Sequence, residues 1–232
     1  MANKPVAVIA GLGSGSGTGA AAARLLTKEG YAIALVARGA DPLKALADEI
    51  NAAGGTATPF PISSYNPTDI NTPYATIRAY YQGQPIRDVQ AVAQTNIEGP
   101  FAFSKNVIQA FQSNQVDEKG KRGSLIFTGA TASVRGDVTT SAFSAGKHAL
   151  RALSQSLAKE FGKQNIHVSH AIIDGGILTN ASRERRNDPE WEQNEDVRLS
   201  PDGIEESYLH LINQSRSAWT WELYLRPAHE KW

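Results

Sequence analysis

The apolar positions of this chain fall into two kinds of segment that take turns. Short continuous runs rich in β-branched residues stand at PVAVIAG (Pro5–Gly11), YAIALVAR (Tyr31–Arg38), RGSLIFTGA (Arg122–Ala130) and IHVSHAIID (Ile166–Asp174). Such runs read as strands buried on both faces of a parallel sheet. TATPFPIS (Thr56–Ser63) reads as a further strand weakened by two prolines, and SAWTWELYLRP (Ser217–Pro227) as the last. Between them lie segments of helical character. AAAARLLTKEG (Ala20–Gly30) holds strong helix formers and stops at glycine. DPLKALADEINAAGG (Asp41–Gly55) offers Asp41 as a cap, Pro42 for the first turn and glycines at the end. The stretch from Asn66 to Tyr81 is expected to be helical from a cap near Asn71 or Thr72, with Pro73 in the first turn. NIEGPFAFSKNVIQAFQS (Asn96–Ser113) and SAFSAGKHALRALSQSLAKEFGKQN (Ser141–Asn165) complete the set.

Alternation of this kind predicts a doubly wound α/β fold, a parallel sheet with helices on both faces. No repeat or linker interrupts it, so residues 1–232 read as one domain. One place breaks the alternation. A fourth strand is needed before the helix containing Asn96, and the candidate there, Ile86–Val92, carries Arg87, Asp88 and Gln90. Buried backbone groups left unpaired in a sheet interior are costly. Either chain is missing between Gln82 and Val92 or the neighbouring strands close up, and the flanking residues favour missing chain.

Length and charge narrow the picture. A chain of 232 residues suffices for one sizeable core. Lys+Arg and Asp+Glu are 23 each, so no global field favours nucleic acid or an anionic membrane. There is no cysteine, which excludes disulfides, thiolate metal sites and a thiol nucleophile. The first apolar run meets glycines at once and is too short to span a bilayer. The expectation is a cytoplasmic protein with no metal.

The chemistry starts at GLGSGSGTG, Gly11–Gly19, between the first strand and the first helix. Glycines permit positive φ and let backbone N–H groups approach a phosphate at a helix N-terminus. Ser14, Ser16 and Thr18 add hydroxyl donors. The second strand ends in Ala37-Arg38 where an NAD site usually holds an acid on the ribose 2′-hydroxyl. A guanidinium there suits a 2′-phosphate, so NADP(H) is favoured over NAD(H).

Together these segments resemble the short-chain dehydrogenase/reductase family over nearly the whole chain. The resemblance implies a Rossmann-like fold, a nicotinamide cofactor and an Asn-Ser-Tyr-Lys tetrad. Of the family's three loop glycines, Gly13, Gly17 and Gly19 match when counted back from the helix, and Gly11 matches the first when counted from the strand. Asn96 matches the tetrad asparagine and Lys147 the lysine, which in the family holds the cofactor ribose. Phe143 stands in the tyrosine's place, four residues before Lys147. Ala130 falls where the serine is expected, with Thr131 and Ser133 as hydroxyl-bearing neighbours. DGGILT, Asp174–Thr179, resembles the segment that runs along the nicotinamide, with Asp174 replacing a proline and Gly175, Ile177 and Thr179 following. Ser63 lies where an adenine-contacting acid is usual. The polar segment 180–207 corresponds to the family's substrate cover, anchored on Trp191 and Leu199.

A phenyl ring has no proton to give. The residues therefore support two readings. One is an NADP(H)-dependent carbonyl/alcohol oxidoreductase with a modified proton relay, whose candidate catalytic residues are Asn96, Thr131, Phe143 and Lys147. The other is an NADP(H)-binding protein without redox turnover. Asp174 is open to two readings, a base near the nicotinamide or a turn former before two glycines. The partner expected is a small-molecule substrate. The apolar stripe Leu150, Leu153, Leu157 and Phe161, at helical spacing, adds the expectation of a homodimer or homotetramer.

Overall fold

Five fully buried residues, Val6–Ala10, make strand β1, and the glycine-rich turn leads from it into α1 (Thr18–Lys28). The computed structural model describes residues 4–12, 15–64, 67–80, 86–91, 97–138 and 140–231. The chain continues through β2 (Ala32–Ala37), α2 (Ala40–Ala52), β3 (Ala57–Pro61), α3 (Pro67–Tyr80), β4 (Ile86–Ala91), α4 (Glu98–Ser113), β5 (Gly123–Ala130), α5 (Ser141–Phe161) and β6 (Ile166–Ile173). It closes with α6 (Asn180–Arg186), α7 (Pro189–Gln193), α8 (Pro201–Asn213) and β7 (Glu222–Leu225). The strands form one parallel sheet in the order β3-β2-β1-β4-β5-β6-β7.

Side chains alternate across a strand, and β1 shows what that does. Val6, Val8 and Ala10 join the core layer shared with Tyr74 of α3, Phe111 of α4 and Leu150 of α5. Ala7 and Ile9 join the opposite layer, with Leu26 of α1, Leu46 of α2 and Tyr208 of α8. Both faces of the sheet are thus covered, as the continuous apolar runs require.

Several local expectations change. Ile86–Ala91 pairs with both β1 and β5, so the sheet neither has a hole nor closes up across the gap. The pairing shifts register between Val6 and Ala7. Residues 82–85 and Val92, which bound the expected missing chain, lie outside the described residues. Helix α3 starts at Pro67, not near Asn71, and keeps Pro73 inside it. Proline at a helix start costs little, because the first N–H groups have no intrahelical acceptor. Helix α2 is capped by Gly39, with Asp41 in the first turn. The last strand is only Glu222–Leu225, preceded by a 3-10 turn at Arg216–Ala218. Helix α8 has its own apolar face, Ile204, Tyr208, Leu211 and Ile212. That face packs in the layer with α1, so Ile204, at the end of the 180–207 segment, is part of the core.

The stripe on α5 also finds its partners within the chain. Leu150 and Leu153 are buried in the core, and Leu157 and Phe161 pack against it. The face that suggested an interface between copies is satisfied by the sheet beneath it.

Candidate active site

A parallel sheet gathers its strand C-termini along one edge, where ligands of such folds bind. At the end of β1, Gly11 takes φ +82° and its N–H donates to the Val36 carbonyl at 2.9 Å. Gly15 takes φ +84°, again where a side chain would strain the backbone. Gly17 caps α1 with no side-chain hydrogen bond to the first turn. Thr18 and Gly19 open the helix and are buried. A Cβ on Gly19 would stand 3.5 Å from the Leu12 Cα, so the helix start lies close against the strand end. Gly13 and Ser14 lie outside the described residues. The loop meets the segment after β6: the Asn180 N–H donates to Ser16 Oγ at 3.3 Å, and Gly17 faces the Thr179 methyl group.

Arg38 is exposed immediately after β2, and Ser63 is exposed just beyond β3, so both stand at the same edge as the loop. Thr179 is the N-cap of α6, its hydroxyl accepting from the Ser182 N–H at 3.1 Å. Its hydroxyl is therefore already engaged. Gly175 has φ +157°, and a Cβ there would meet the Pro227 ring at 2.7 Å.

On α5, Lys147 is 8 % exposed and donates to the Thr128 carbonyl at 3.0 Å. Burial pushes its ammonium down to about 8. Phe143, one turn earlier, is 47 % exposed. Its ring and Thr131 line a cleft of about 640 Å³ whose walls include Ala130, Asp174, Gly175 and Ile177. The Thr131 hydroxyl donates to Asp174 Oδ1, and Arg226 donates to Asp174 Oδ2, each at 2.5 Å. Asn96 lies outside the described residues.

Other candidates are structural. His167 stacks on Trp219 at 4.8 Å, and burial holds its imidazole down to about 4. His170 is fully buried beside Glu222, which Arg151 grips with two of its guanidinium nitrogens, Nε and Nη2. His148 is exposed and bonds to the Ser144 carbonyl. In the covering segment, Trp191 and Leu199 are buried as expected. Arg186 lies over the Trp191 ring at 4.4 Å, while Arg185 lines the cleft. Sequence reasoning misses Glu230, which lines the cleft, and Arg226, which is joined to it by its hydrogen bond to Asp174. Their only signal is strand register, which a lone sequence does not display.

The described loop residues fit a dinucleotide. Two glycines at positive φ, a helix start without a side-chain cap and hydroxyls at Ser16 and Thr18 make a cradle for phosphate. Among the described residues no cluster of His, Cys, Asp or Glu could hold a metal, and no helix is long and apolar enough to cross a membrane.

Known proteins resemble this chain in sequence and in fold. The short chain dehydrogenase family model matches residues 5–86 and 81–190. The chain is 25% identical over 189 residues to a 3-oxoacyl-[acyl-carrier-protein] reductase of Mus musculus, covering 76% of this chain and 78% of that protein. A crystal structure of a short-chain dehydrogenase from Rhodopseudomonas palustris superposes with a TM-score of 0.74 at 27% identity, covering 98% of this chain and all of the other. An L-sorbose reductase from Gluconobacter frateurii, complexed with NADPH and L-sorbose, reaches a TM-score of 0.80 at 19% identity, over 99% of this chain and 98% of that one. With the family model spanning most of the chain and the glycine turn, Lys147 and the Gly175–Thr179 segment at one sheet edge, this protein belongs to the short-chain dehydrogenase family.

Proposed function

We propose that this protein is an NADP(H)-dependent oxidoreductase that interconverts a carbonyl and an alcohol, with Thr131 in the proton relay where the phenol is missing. The observation that carries the reading is a hydroxyl in the right place. Thr131 lines the same cleft as Phe143, at the end of a strand, and its hydrogen is directed at a carboxylate. Nicotinamide supplies the hydride chemistry when bound. The chain's own part is to hold phosphates on the loop and α1, to meet a 2′-phosphate with Arg38, and to carry a proton at Thr131 Oγ1. Lys147 keeps its family place on α5 as the group that would hold the cofactor ribose. Solved relatives of the same fold described as NADP or NADPH complexes support the choice of cofactor.

The segment 180–207 is proposed to cover substrate through α6 and α7, and a cytoplasmic homo-oligomer remains part of the reading. Phe143 and Ala130 favour a second reading, cofactor binding without turnover, because neither side chain can donate a proton. Incubation with NADPH and a panel of aldehydes and ketones decides. Substrate-dependent NADPH consumption supports the first reading. Tight NADPH binding with no consumption on any carbonyl establishes the second.

A further inference from the structure

Strand register aligns three residues across the C-terminal edge of the sheet. Ala130, Ile173 and Leu225 are partners on β5, β6 and β7. The residues that follow them, Thr131, Asp174 and Arg226, therefore stand in a row. They are joined by two hydrogen bonds that converge on the two oxygens of one carboxylate. Asp174 is 8 % exposed, its N–H donates to the Leu225 carbonyl at 2.8 Å, and it lines the cleft beside Phe143.

We infer that Asp174 is the proton reservoir of the active site, exchanging protons with substrate through the Thr131 hydroxyl, with Arg226 as the residue that positions it. This rests on the oxidoreductase reading. The directions of the bonds are those of a proton acceptor. Thr131 points its hydrogen at Asp174 and keeps oxygen lone pairs for a substrate hydroxyl. In alcohol oxidation the substrate O–H proton passes to Thr131 Oγ1 while Thr131's own proton passes to Asp174 Oδ1. With oxidised nicotinamide bound as the hydride acceptor, the electron pair of the C–H bond would leave as hydride and the oxygen electrons would form the C=O bond. Carbonyl reduction runs the same transfers backwards. A protonated Asp174 gives its proton to Thr131, and the nascent alkoxide takes Thr131's. Solvent entering the cleft restores the proton on Asp174.

A threonine hydroxyl alone is a poor acid and a poor base, so a relay needs a titratable group behind it. Arg226 holds Asp174 at its second oxygen, leaving Oδ1 for Thr131. The other charged groups on the cleft are Arg135 and Asp137 from the loop after β5, Arg185 from α6 and Glu230 from the C-terminal tail. A proline at 174 would have neither the carboxylate nor the N–H that ties this residue to β7.

The test is kcat as a function of pH, with NADPH and a carbonyl found in the panel. The variants are Asp174→Asn, Thr131→Val, Thr131→Ser and the Asp174→Asn/Thr131→Val double change. Asp174→Asn is expected to lower kcat by about 10²-fold or more, to leave the KM for NADPH unchanged and to remove one ionisation from the pH profile. Thr131→Val should match it, Thr131→Ser should retain most of the rate, and the double variant should be no slower than either single one, as members of one relay behave. NADPH binding and thermal melting check each variant's fold. If Asp174→Asn does not fold, the contrast between Thr131→Val and Thr131→Ser decides. An unchanged profile in Asp174→Asn, or strictly additive losses, overturns the reservoir alone while the oxidoreductase reading stands. Absence of NADPH consumption by the unaltered protein overturns both.

Discussion

The Lys147 ammonium lies 5.7 Å from the centre of the Phe143 ring, one helical turn away on α5. The lysine is buried and the ring lines the cleft. A phenol hydroxyl added to this ring would bring an acidic proton to the cleft wall one turn from a buried cation. Phe143→Tyr is expected to raise carbonyl reduction by about tenfold or more, since a placed general acid contributes about 10²–10⁴-fold and the Thr131 relay already supplies part of that. Steady-state rates of the two proteins on the same carbonyl measure it. No gain would mean that proton supply does not limit turnover.

Arg38 is the only residue proposed to tell the two cofactors apart. Arg38→Ala should weaken NADPH binding by about 1–3 kcal/mol, the scale for a lost charged hydrogen bond, and leave NADH binding unchanged. Titration of both proteins with both cofactors measures the difference. Equal losses for NADH would assign Arg38 to some other part of the nucleotide.

Glu205 on α8 faces Arg24 and Lys28 of α1, yet its carboxyl is pushed up from 4.5 to about 7. Burial is the main cause, reinforced by Asp202 one turn earlier and opposed by the two cations. Folding thus favours the protonated form. The folded chain binds more protons than the unfolded one between pH 4.5 and about 7, so this residue costs stability increasingly as pH rises through that window. Glu205→Gln should melt higher than the parent at pH 8 and close to it at pH 4.5. Paired melting curves at the two pH values check this, and an equal difference at both would refute it.

Gly129 on β5 leaves room for a neighbour's ring. A Cβ there would fall 2.3 Å from His170 Nε2 and 2.8 Å from Ser133 Oγ. His170 cannot retreat easily, because Glu222 holds its other nitrogen at 2.9 Å. Gly129→Ala should destabilise the fold by about 1–3 kcal/mol, as overpacking does. Denaturant unfolding measures it, and the double variant Gly129→Ala/His170→Ala should recover part of the loss.

The family match divides into two stretches, 5–86 and 81–190, that overlap where the alternation of strand and helix falters. That division supports the proposal that chain is missing between Gln82 and Val92, with Ile86–Ala91 filling the vacant place between β1 and β5. Reading the genomic sequence across these codons tests it. A longer open frame with an apolar run inserted there is the expected result, and an unchanged frame refutes it.

The strands, the order of elements and the glycine loop were legible in the chain because each depends on local chemistry. Continuous apolar runs bury both faces of a strand wherever they sit, and Gly11 and Gly15 take backbone angles that other residues resist. The gap at Phe143 was legible too, since Lys147 fixes the spacing within one helix. The stripe from Leu150 to Phe161 showed that α5 needs burial, but not against what. The sheet of the same chain supplied it, because an apolar face does not specify its partner. Helix α8 went unread because its first half lies in a polar segment, although Ile204, Tyr208, Leu211 and Ile212 recur at helical spacing. What the tertiary structure alone decided is the row Thr131, Asp174 and Arg226. Arg226 lies 52 positions from Asp174 along the chain. Only the parallel register of β5, β6 and β7 makes their ends neighbours, and register is set by the pairing of whole strands, which no single segment encodes.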